Sequence, residues 1–406
     1  MLASLKFVDR FVTLTRVKNV VQTPTGAFER YDFDVQTLAP LLTRQGFEVE
    51  SVAHFGDGFD AVVVARIEKA EPHPKADKLR VCQVNTGDGL RQIVCGAANA
   101  REGLYVAAAL VGAKLPGGLE IKAAKIRDVE SNGMLCSRAE LGLPVSERTD
   151  GDGIWELQVL ESCGQPEDTL AKMLGVPVFD ALGLRDTLLE LNVTPNRPDM
   201  LCHEGVAREV LVGLTRAGVP ASWRGHTFVA KSPITAEEAM TEACTRTEMV
   251  LGGKDFSVEN ALGVGAFFGG LEGLSVGPSP AWLRGQLEAL GQNSVNNVVD
   301  ASNYVLLAFG QPSHAFDVAA LSPMGGLAAS ASGTAGRSGL LLRPAREGEA
   351  FHALDGKERT LVAQDCVVAD GAHVQALLGV IGGEKSKVTD GTFAVALEFA
   401  NPHPVS

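Results

Sequence analysis

Between Ala61 and Leu143 the chain is cut into short apolar runs by closely spaced turn signals, and this punctuation constrains the fold more than any other feature. The runs Ala61–Ile67, Leu79–Asn85, Gln92–Cys95, Leu104–Leu110 and Ile121–Val129 are divided by Pro72-His73-Pro74, Thr86-Gly87-Asp88-Gly89 and Pro116-Gly117-Gly118, and Ser131-Asn132-Gly133 closes the last. Five short strands at such spacing predict a small closed barrel of the OB type. Many barrels of this type bind oligonucleotides, but a fold alone does not establish a function.

A chain of 406 residues exceeds what one core usually serves, so two or three domains are expected. Ahead of the barrel, Ser4–Val12 reads as a strand or a helix, which its pattern does not separate. Leu38, Leu41 and Leu42 then lie at helical spacing, Gly46 is placed to end that helix, and a strand is expected at Phe47–Val52. After the barrel, Asp199 is positioned to N-cap a helix that aligns Val206, Val210, Leu211 and Leu214 and stops at Gly218. That helix is expected to pack on the opening segment, which makes the first domain discontinuous. The predicted organisation is α+β multidomain: a small α+β domain over 1–56 and 176–226, an inserted OB-fold barrel over 57–175, and a further α+β domain over 227–406. In the last, Ser279-Pro280 opens a helix with Leu283, Leu287 and Leu290, closed by Gly291. Strands are expected at Val298–Asp300, Gly339–Arg343, Cys366–Ala369 and Val395–Phe399. Gly252–Gly277 and Pro323–Gly339 read as flexible insertions.

With 45% hydrophobic and 21% charged residues, the composition is globular and not disordered. Apolar runs such as Leu104–Ala113 fall far short of the ~20 residues that span a bilayer. Lys6, Asp9 and Arg10 interrupt any signal-peptide core, so a cytoplasmic protein with no membrane partner is expected. Seven cysteines, at 82, 95, 136, 163, 202, 244 and 366, are scattered and lack C-x-x-C spacing. That predicts reduced thiols, without disulfides or a zinc site. A net charge of −13 argues against nucleic acid. Gly58–Leu143, however, holds 12 Lys/Arg against 10 Asp/Glu, so RNA would bind there. Its candidates are Lys75, Lys78, Arg80, Lys114, Lys122, Lys125, Arg127 and Arg138. On charge alone, lysines interleaved with Glu68, Glu71 and Asp77 read as a solvated face. His73 reads as a turn residue, because no second metal ligand lies at helical or hairpin spacing.

Three motifs in register are more specific than charge: Glu71-Pro72-His73-Pro74-Lys75-Ala76-Asp77-Lys78-Leu79, Ile93-Val94-Cys95-Gly96-Ala97-Ala98-Asn99 and Gly133-Met134-Leu135-Cys136-Ser137. In order and spacing they resemble the tRNA-binding OB domain of bacterial phenylalanyl-tRNA synthetase β subunits. Leu191–Asp199 and Gly205–Glu209 resemble the segment of those subunits that returns to the first domain. Val276–Pro280, Asn296–Asp300, Asn303–Val305, Gly310–Asp317, Leu354–Gly356 and Gly379–Gly383 resemble their B3/B4 editing domain. The resemblance covers nearly the whole chain and is weakest at 13–35, 231–275 and 323–338.

The resemblance implies the N-terminal half of a ligase β subunit that binds tRNA(Phe) and hydrolyses tyrosine wrongly attached to it. Its complex would be α2β2, with ATP and Mg2+ needed by the whole enzyme, no cofactor or metal in this chain, and no DNA partner. The domains that contact the α subunit are largely missing here, so this chain alone would be at most an aminoacyl-tRNA deacylase. By motif position Glu398 corresponds to the acid that reads the tyrosine hydroxyl, with the Gly379 amide beside it. His314 and Asn303 match residues near the ester, and Ser302 stands where the family commonly has threonine. Without the resemblance, His314 reads as a structural histidine and Glu398 as an ordinary strand carboxylate. Leu378 stands where a small residue usually lines the pocket, and Lys387 replaces an acid. The alternative is a non-catalytic tRNA-binding or assembly module with a degenerate editing pocket.

Overall fold

The computed structural model describes residues 1–145, 153–157, 168–225, 246–262, 265–324 and 338–401. They form two compact units, Met1–His226 with Ser279–Val295, and Thr227–Pro278 with Asn296–Ser406. No helix among the described residues is long and apolar enough to cross a membrane.

The first unit opens as both alternatives at once: a strand, Leu2–Ser4, runs into a helix, Leu5–Val8, that the Ser4 hydroxyl caps by accepting from Phe7 N at 3.0 Å. A three-stranded sheet has the order Leu2–Ser4, Asp186–Leu191, Val49–Phe55, all antiparallel. Helices Val35–Arg44 and His203–Arg216 pack against each other. Gly46 and Gly218, both at positive φ, follow their ends as the sequence predicts. The second helix begins later than expected. Pro198–Leu201 is a 3-10 turn, Asp199 pairs with Arg197 at 2.8 Å instead of capping, and Val206, Val210 and Leu214 are buried while Leu211 is only half-buried. Gly205 lies on the Asp199 carbonyl, where a Cβ would not fit, so turn and helix meet at a glycine.

The barrel has the strand order Met134–Leu135, Tyr105–Ala109, Val62–His73, Ala76–Asn85, Leu90–Cys95. It closes where Val94 N donates to Ser131 Oγ at 3.0 Å and Asn132 N donates to Gln92 O at 2.8 Å. Ala65, Ile67, Cys82, Val84, Ile93, Val106, Ala108 and Leu135 fill one core cluster. One expectation fails: Ile121–Val129 is not a barrel strand. It contributes to a small hairpin, Ala124–Ile126 against Val129–Ser131, turned by Arg127 and Asp128 at φ 50° and 70°. The polar Arg-Asp pair takes the turn and splits the run, and Met134–Leu135 supplies the fifth strand.

Helix Ala281–Ala289 groups with this first unit. Its Glu288 meets Arg138 at 2.6 Å, the two side chains being 2% and 5% exposed, while Arg284 approaches the same carboxylate at 2.6 Å. The Arg138 guanidinium also lies over the Trp155 ring at 4.9 Å.

In the second unit a six-stranded sheet has the order Arg246–Leu251, Lys254–Asn260, Ser338–Pro344, Cys366–Ala369, Val374–Leu377, Ile381–Gly382. Only the pairing of Lys254–Asn260 with Ser338–Pro344 is parallel. A three-stranded sheet has the order Gly265–Glu272, Ala394–Asn401, His314–Asp317. Phe256, Val258, Leu340, Leu342 and Val368 from the first sheet share one core with Phe316 and Ala396 from the second. Two expectations are corrected. Val298–Asp300 lies in a helix, Asn297–Phe309, because the Asn296 side chain accepts from Val298 N and Val299 N at 3.1 and 2.9 Å and caps it. Gly252–Gly277 is not a flexible insertion within its described residues: Gly252 and Gly253, at φ 61° and 72°, turn one strand into the next, and Gly265–Glu272 is an edge strand. Of Pro323–Gly339, residues 325–337 lie outside the described residues.

Replacing Glu288 with alanine leaves the Arg138 charge buried without its carboxylate. Loss of one partner of a buried pair costs about 3–5 kcal/mol, and denaturant unfolding is expected to show a loss of that order.

Candidate functional site

The strand Ala394–Asn401 is paired on both sides over Val395 to Glu398, so each of those four residues has two cross-strand neighbours. Glu398 stands opposite Phe268 on one side and His314 on the other. Directly opposed residues in an antiparallel sheet put their side chains on the same face, with Cβ atoms about 4.5–5.5 Å apart. Residues far apart in sequence thereby share one face by register alone.

Glu398 is 5% exposed and has no hydrogen bond or ion pair among the described residues. Burial pushes its carboxyl up to about 7. Burial pushes the His314 imidazole the other way, down to about 4, so at neutral pH the ring is uncharged. Its Nε2 is buried without a partner among the described residues, and the ring packs edge-on against Phe316 at 4.5 Å between centroids. Its other neighbour is Gly382, in the short strand Ile381–Gly382 of the six-stranded sheet.

Helix Asn297–Phe309 carries Ser302 and Asn303 and packs against the strand His314–Asp317. Gly310, at φ 76°, ends it, and Gln311-Pro312-Ser313 returns the chain into His314. The Ser302 hydroxyl donates to its own helix at Val299 O, 2.7 Å away, whereas the Asn303 carboxamide has no partner among the described residues. Gly379, at φ 70°, lies in the exposed turn between Val374–Leu377 and Ile381–Gly382. Leu378 beside it is 7% exposed and belongs to the apolar core with Phe316 and Ala396, which lie two residues from His314 and Glu398 on the same sheet face. Lys387 pairs with Glu384 at the surface. The structure therefore brings His314 and Glu398 together, with Ser302 and Asn303 on the adjoining helix. Gly382 and Phe268 are missing from the site read in the sequence. Register could have found Phe268, but only if strand 265–272 had been recognised.

The basic candidates on the barrel divide into paired and free groups. Lys75 meets Asp128 at 2.6 Å, Lys122 meets Glu120 at 3.3 Å and Lys125 meets Glu130 at 3.9 Å, all in exposed pairs. Lys78, Arg80, Lys114 and Arg127 have no carboxylate partner among the described residues. Arg138 does not belong to this surface, because it is 5% exposed and committed to Glu288. His73 is a turn residue: it is 5% exposed, its Nδ1 accepts from Lys75 N at 3.1 Å, and its Nε2 lies 3.1 Å from Ile126 O. It thus ties the Val62–His73/Ala76–Asn85 hairpin to the hairpin turned by Arg127-Asp128, and places Lys75, Lys78 and Arg127 at one end of the barrel.

Two domain families match this chain. The "Putative tRNA binding domain" covers residues 62–155 and the B3/4 domain covers residues 265–406. The class so defined is a tRNA-binding barrel joined to a B3/4 module. Among curated proteins, the phenylalanine–tRNA ligase beta subunit of Geobacter sulfurreducens is 42% identical over 382 residues, covering 93% of this chain and 41% of that protein. The beta subunit of Shouchella clausii is 40% identical over 378 residues, covering 92% and 42%. Over more than nine tenths of its length the chain is therefore similar to phenylalanine–tRNA ligase β subunits. It spans about two fifths of the length of the curated relatives it matches. Among solved structures, an N-terminal fragment of the phenylalanyl-tRNA synthetase beta subunit from Pyrococcus horikoshii matches at 16% identity with a TM-score of 0.24, covering 53% of this chain and 56% of that one.

Because the folded Glu398 carboxyl titrates at about 7 rather than the ordinary 4.5, the folded state binds more protons than the unfolded state between those values. Stability from this group therefore falls as pH rises through that window and stays low above it. Glu398→Gln removes the cost of a buried carboxylate. The variant is expected to exceed the parent in stability at pH 8 by on the order of 3 kcal/mol. Urea unfolding at pH 8 and pH 5 tests this, with the difference shrinking at the lower pH.

Proposed function

We propose that this chain supplies the tRNA-binding and editing portion of a phenylalanine–tRNA ligase β subunit, hydrolysing tyrosyl-tRNA(Phe) in the cytoplasm. The observation that carries the reading is the buried Glu398 carboxyl, without a partner among the described residues, in register with an imidazole whose Nε2 is equally without one among them. Phenylalanine and tyrosine differ by one hydroxyl, which an apolar pocket rejects poorly. A site whose buried polar group is satisfied only by that hydroxyl discriminates strongly, since the analogue leaves the group unpaired. Glu398 fits that role, and as a near-neutral acid it has both donor and acceptor capacity for a phenol.

Hydrolysis needs a water oxygen to bond to the ester carbonyl carbon and the bond from that carbon to the ribose oxygen to break. The products are free tyrosine and deacylated tRNA, the ribose oxygen taking a proton. An uncharged His314 is suited to accept a hydrogen bond from that water or from the amino acid. Positioning rather than a protein nucleophile would supply the rate. The barrel face bearing Lys75, Lys78, Arg80, Lys114, Lys122 and Lys125 would hold the tRNA backbone. In the whole enzyme an α subunit would complete an α2β2 assembly that uses ATP and Mg2+. A second reading, an RNA-binding module with a degenerate pocket, is favoured by Leu378 filling the core and by the Ser302 hydroxyl being spent on Val299.

Two assays separate binding from hydrolysis. Glu398→Ala is expected to lower the preference for tyrosyl over phenylalanyl ester by about 10- to 100-fold while leaving tRNA affinity unchanged. Undiminished discrimination removes Glu398 from recognition, and no hydrolysis by the parent chain favours the second reading. Lys75→Ala with Lys78→Ala is expected to reduce the slope of log affinity against log salt by about 2. An unchanged slope takes that hairpin out of the RNA contact.

A further inference from the structure

The ester that the proposed reaction cleaves joins the amino acid to the ribose of the last nucleotide of the tRNA. With the ester at His314, that nucleotide has to lie on the surface adjoining the ring. This surface is the edge of the six-stranded sheet: Ile381–Gly382 is the outermost strand, and the imidazole lies against Gly382. A second segment runs beside it. Leu354 N donates to Gly382 O at 3.0 Å, Glu384 N donates to His352 O at 2.9 Å, and Ala353 bridges Gly383. Segments 352–357 and 380–385 therefore make one strip next to the imidazole.

Two kinds of side chain stand out on the strip. Val380 is 73% exposed, more than any other large apolar side chain among the described residues, and Leu354 is 43% exposed. Both sit in turns, where Val380 N donates to Leu377 O and Gly356 N donates to Ala353 O, each at 3.0 Å. The other kind is cationic. Most charges of the strip face one another: Asp355 meets Arg359 at 2.7 Å, Glu358 lies 3.8 Å from His352, and Glu384 pairs with Lys387. Lys357 and Lys385 are exposed, and their ammonium groups have no hydrogen bond or ion pair among the described residues. Apolar surface beside uncommitted cations suits single-stranded nucleic acid, whose bases take apolar contact and whose phosphates take the charge. In a chain of net charge −13, local cations of this kind are what a phosphate can approach.

We propose that this strip is the seat for the last nucleotides of an acylated tRNA, with Leu354 and Val380 against the terminal adenine and Lys357 and Lys385 at the phosphates. This rests on the editing reading. The occupant follows from covalent continuity, since only the nucleotides bearing the ester are tied to the imidazole. Glu398 stands on a different sheet, so the seat grips a correct and an incorrect ester alike. It supplies uniform binding and leaves discrimination to Glu398.

The test compares the full chain with two double variants, Leu354→Ser with Val380→Ser and Lys357→Ala with Lys385→Ala. It is read by hydrolysis of tyrosyl- and phenylalanyl-tRNA(Phe), and by photocrosslinking to tRNA(Phe) whose terminal adenosine carries an azide. All four side chains are exposed, so both variants are expected to melt like the parent. The apolar pair is expected to raise KM about 10-fold, with kcat and the preference for the tyrosyl ester unchanged. The lysine pair is expected to lower the slope of log kcat/KM against log salt by about 1.4, as for two phosphates of a single strand. Crosslinks in the parent are expected within 352–357 or 380–385. An unchanged KM together with an unchanged slope overturns the seat, and so do crosslinks confined to other segments. A fall in kcat or in tyrosyl preference in place of a raised KM also overturns it, because the chemistry and not the hold on RNA is then affected. No hydrolysis by the parent marks a different failure, that of the editing reading. The crosslink then decides the seat alone: adducts on the strip that both variants weaken support it, and adducts elsewhere overturn it.

Discussion

In each unit a three-stranded sheet is completed by a strand that arrives late in the chain and takes the central place. Asp186–Leu191 enters between Leu2–Ser4 and Val49–Phe55, and Ala394–Asn401 enters between Gly265–Glu272 and His314–Asp317. Each central strand carries a buried acid, and the two acids differ in what surrounds them. Asp186 is 6% exposed and receives hydrogen bonds from Ser4 Oγ, Lys6 N and Thr187 N, at 2.5, 3.1 and 2.7 Å. Glu398 is as deeply buried and receives none among the described residues. A buried polar group without a partner is costly to keep. The first acid is thus a fastening of the fold, and the second is not, which is why the recognition role proposed above falls to it.

Much of the frame was legible in the sequence because it rests on local rules. Gly46, Gly218 and Gly291 end helices where their spacing says they should, and four of the five barrel runs are strands. The failures are also local. Val298 and Val299 read as a strand because β-branched residues favour one, but the Asn296 cap outweighs that preference. Gly265–Glu272 was missed because glycine weakens a strand signal, whereas pairing along its whole length with Ala394–Asn401 overrides it. Asp199 reads as a cap, yet Arg197 takes its carboxylate.

The site divides in the same way. No periodicity places His314 opposite Glu398, because the register of strands distant in sequence is a tertiary fact. Family motifs brought those two residues together and took in Gly382 without giving it a role, because its constraint appears only when the ring beside it has coordinates. On the barrel, sequence gives the cations but not their partners. Arg138 is chemically like Arg127, yet one is sealed in an ion pair and the other stands at an exposed turn. Lysines already facing Asp128, Glu120 and Glu130 would exchange a protein carboxylate for a phosphate on binding. Such exposed pairs are worth roughly 0–1 kcal/mol, so they would not block the RNA contact proposed for this face.

A central strand that comes last also orders events during synthesis. Gly265–Glu272 and His314–Asp317 leave the ribosome well before Ala394–Asn401, and in the folded chain each forms its ladder with that later strand and not with the other. Until then the imidazole and the carboxylate are on separate, unpaired segments. The face that His314 and Glu398 share therefore exists only once the last strand has been made and the sheet has closed.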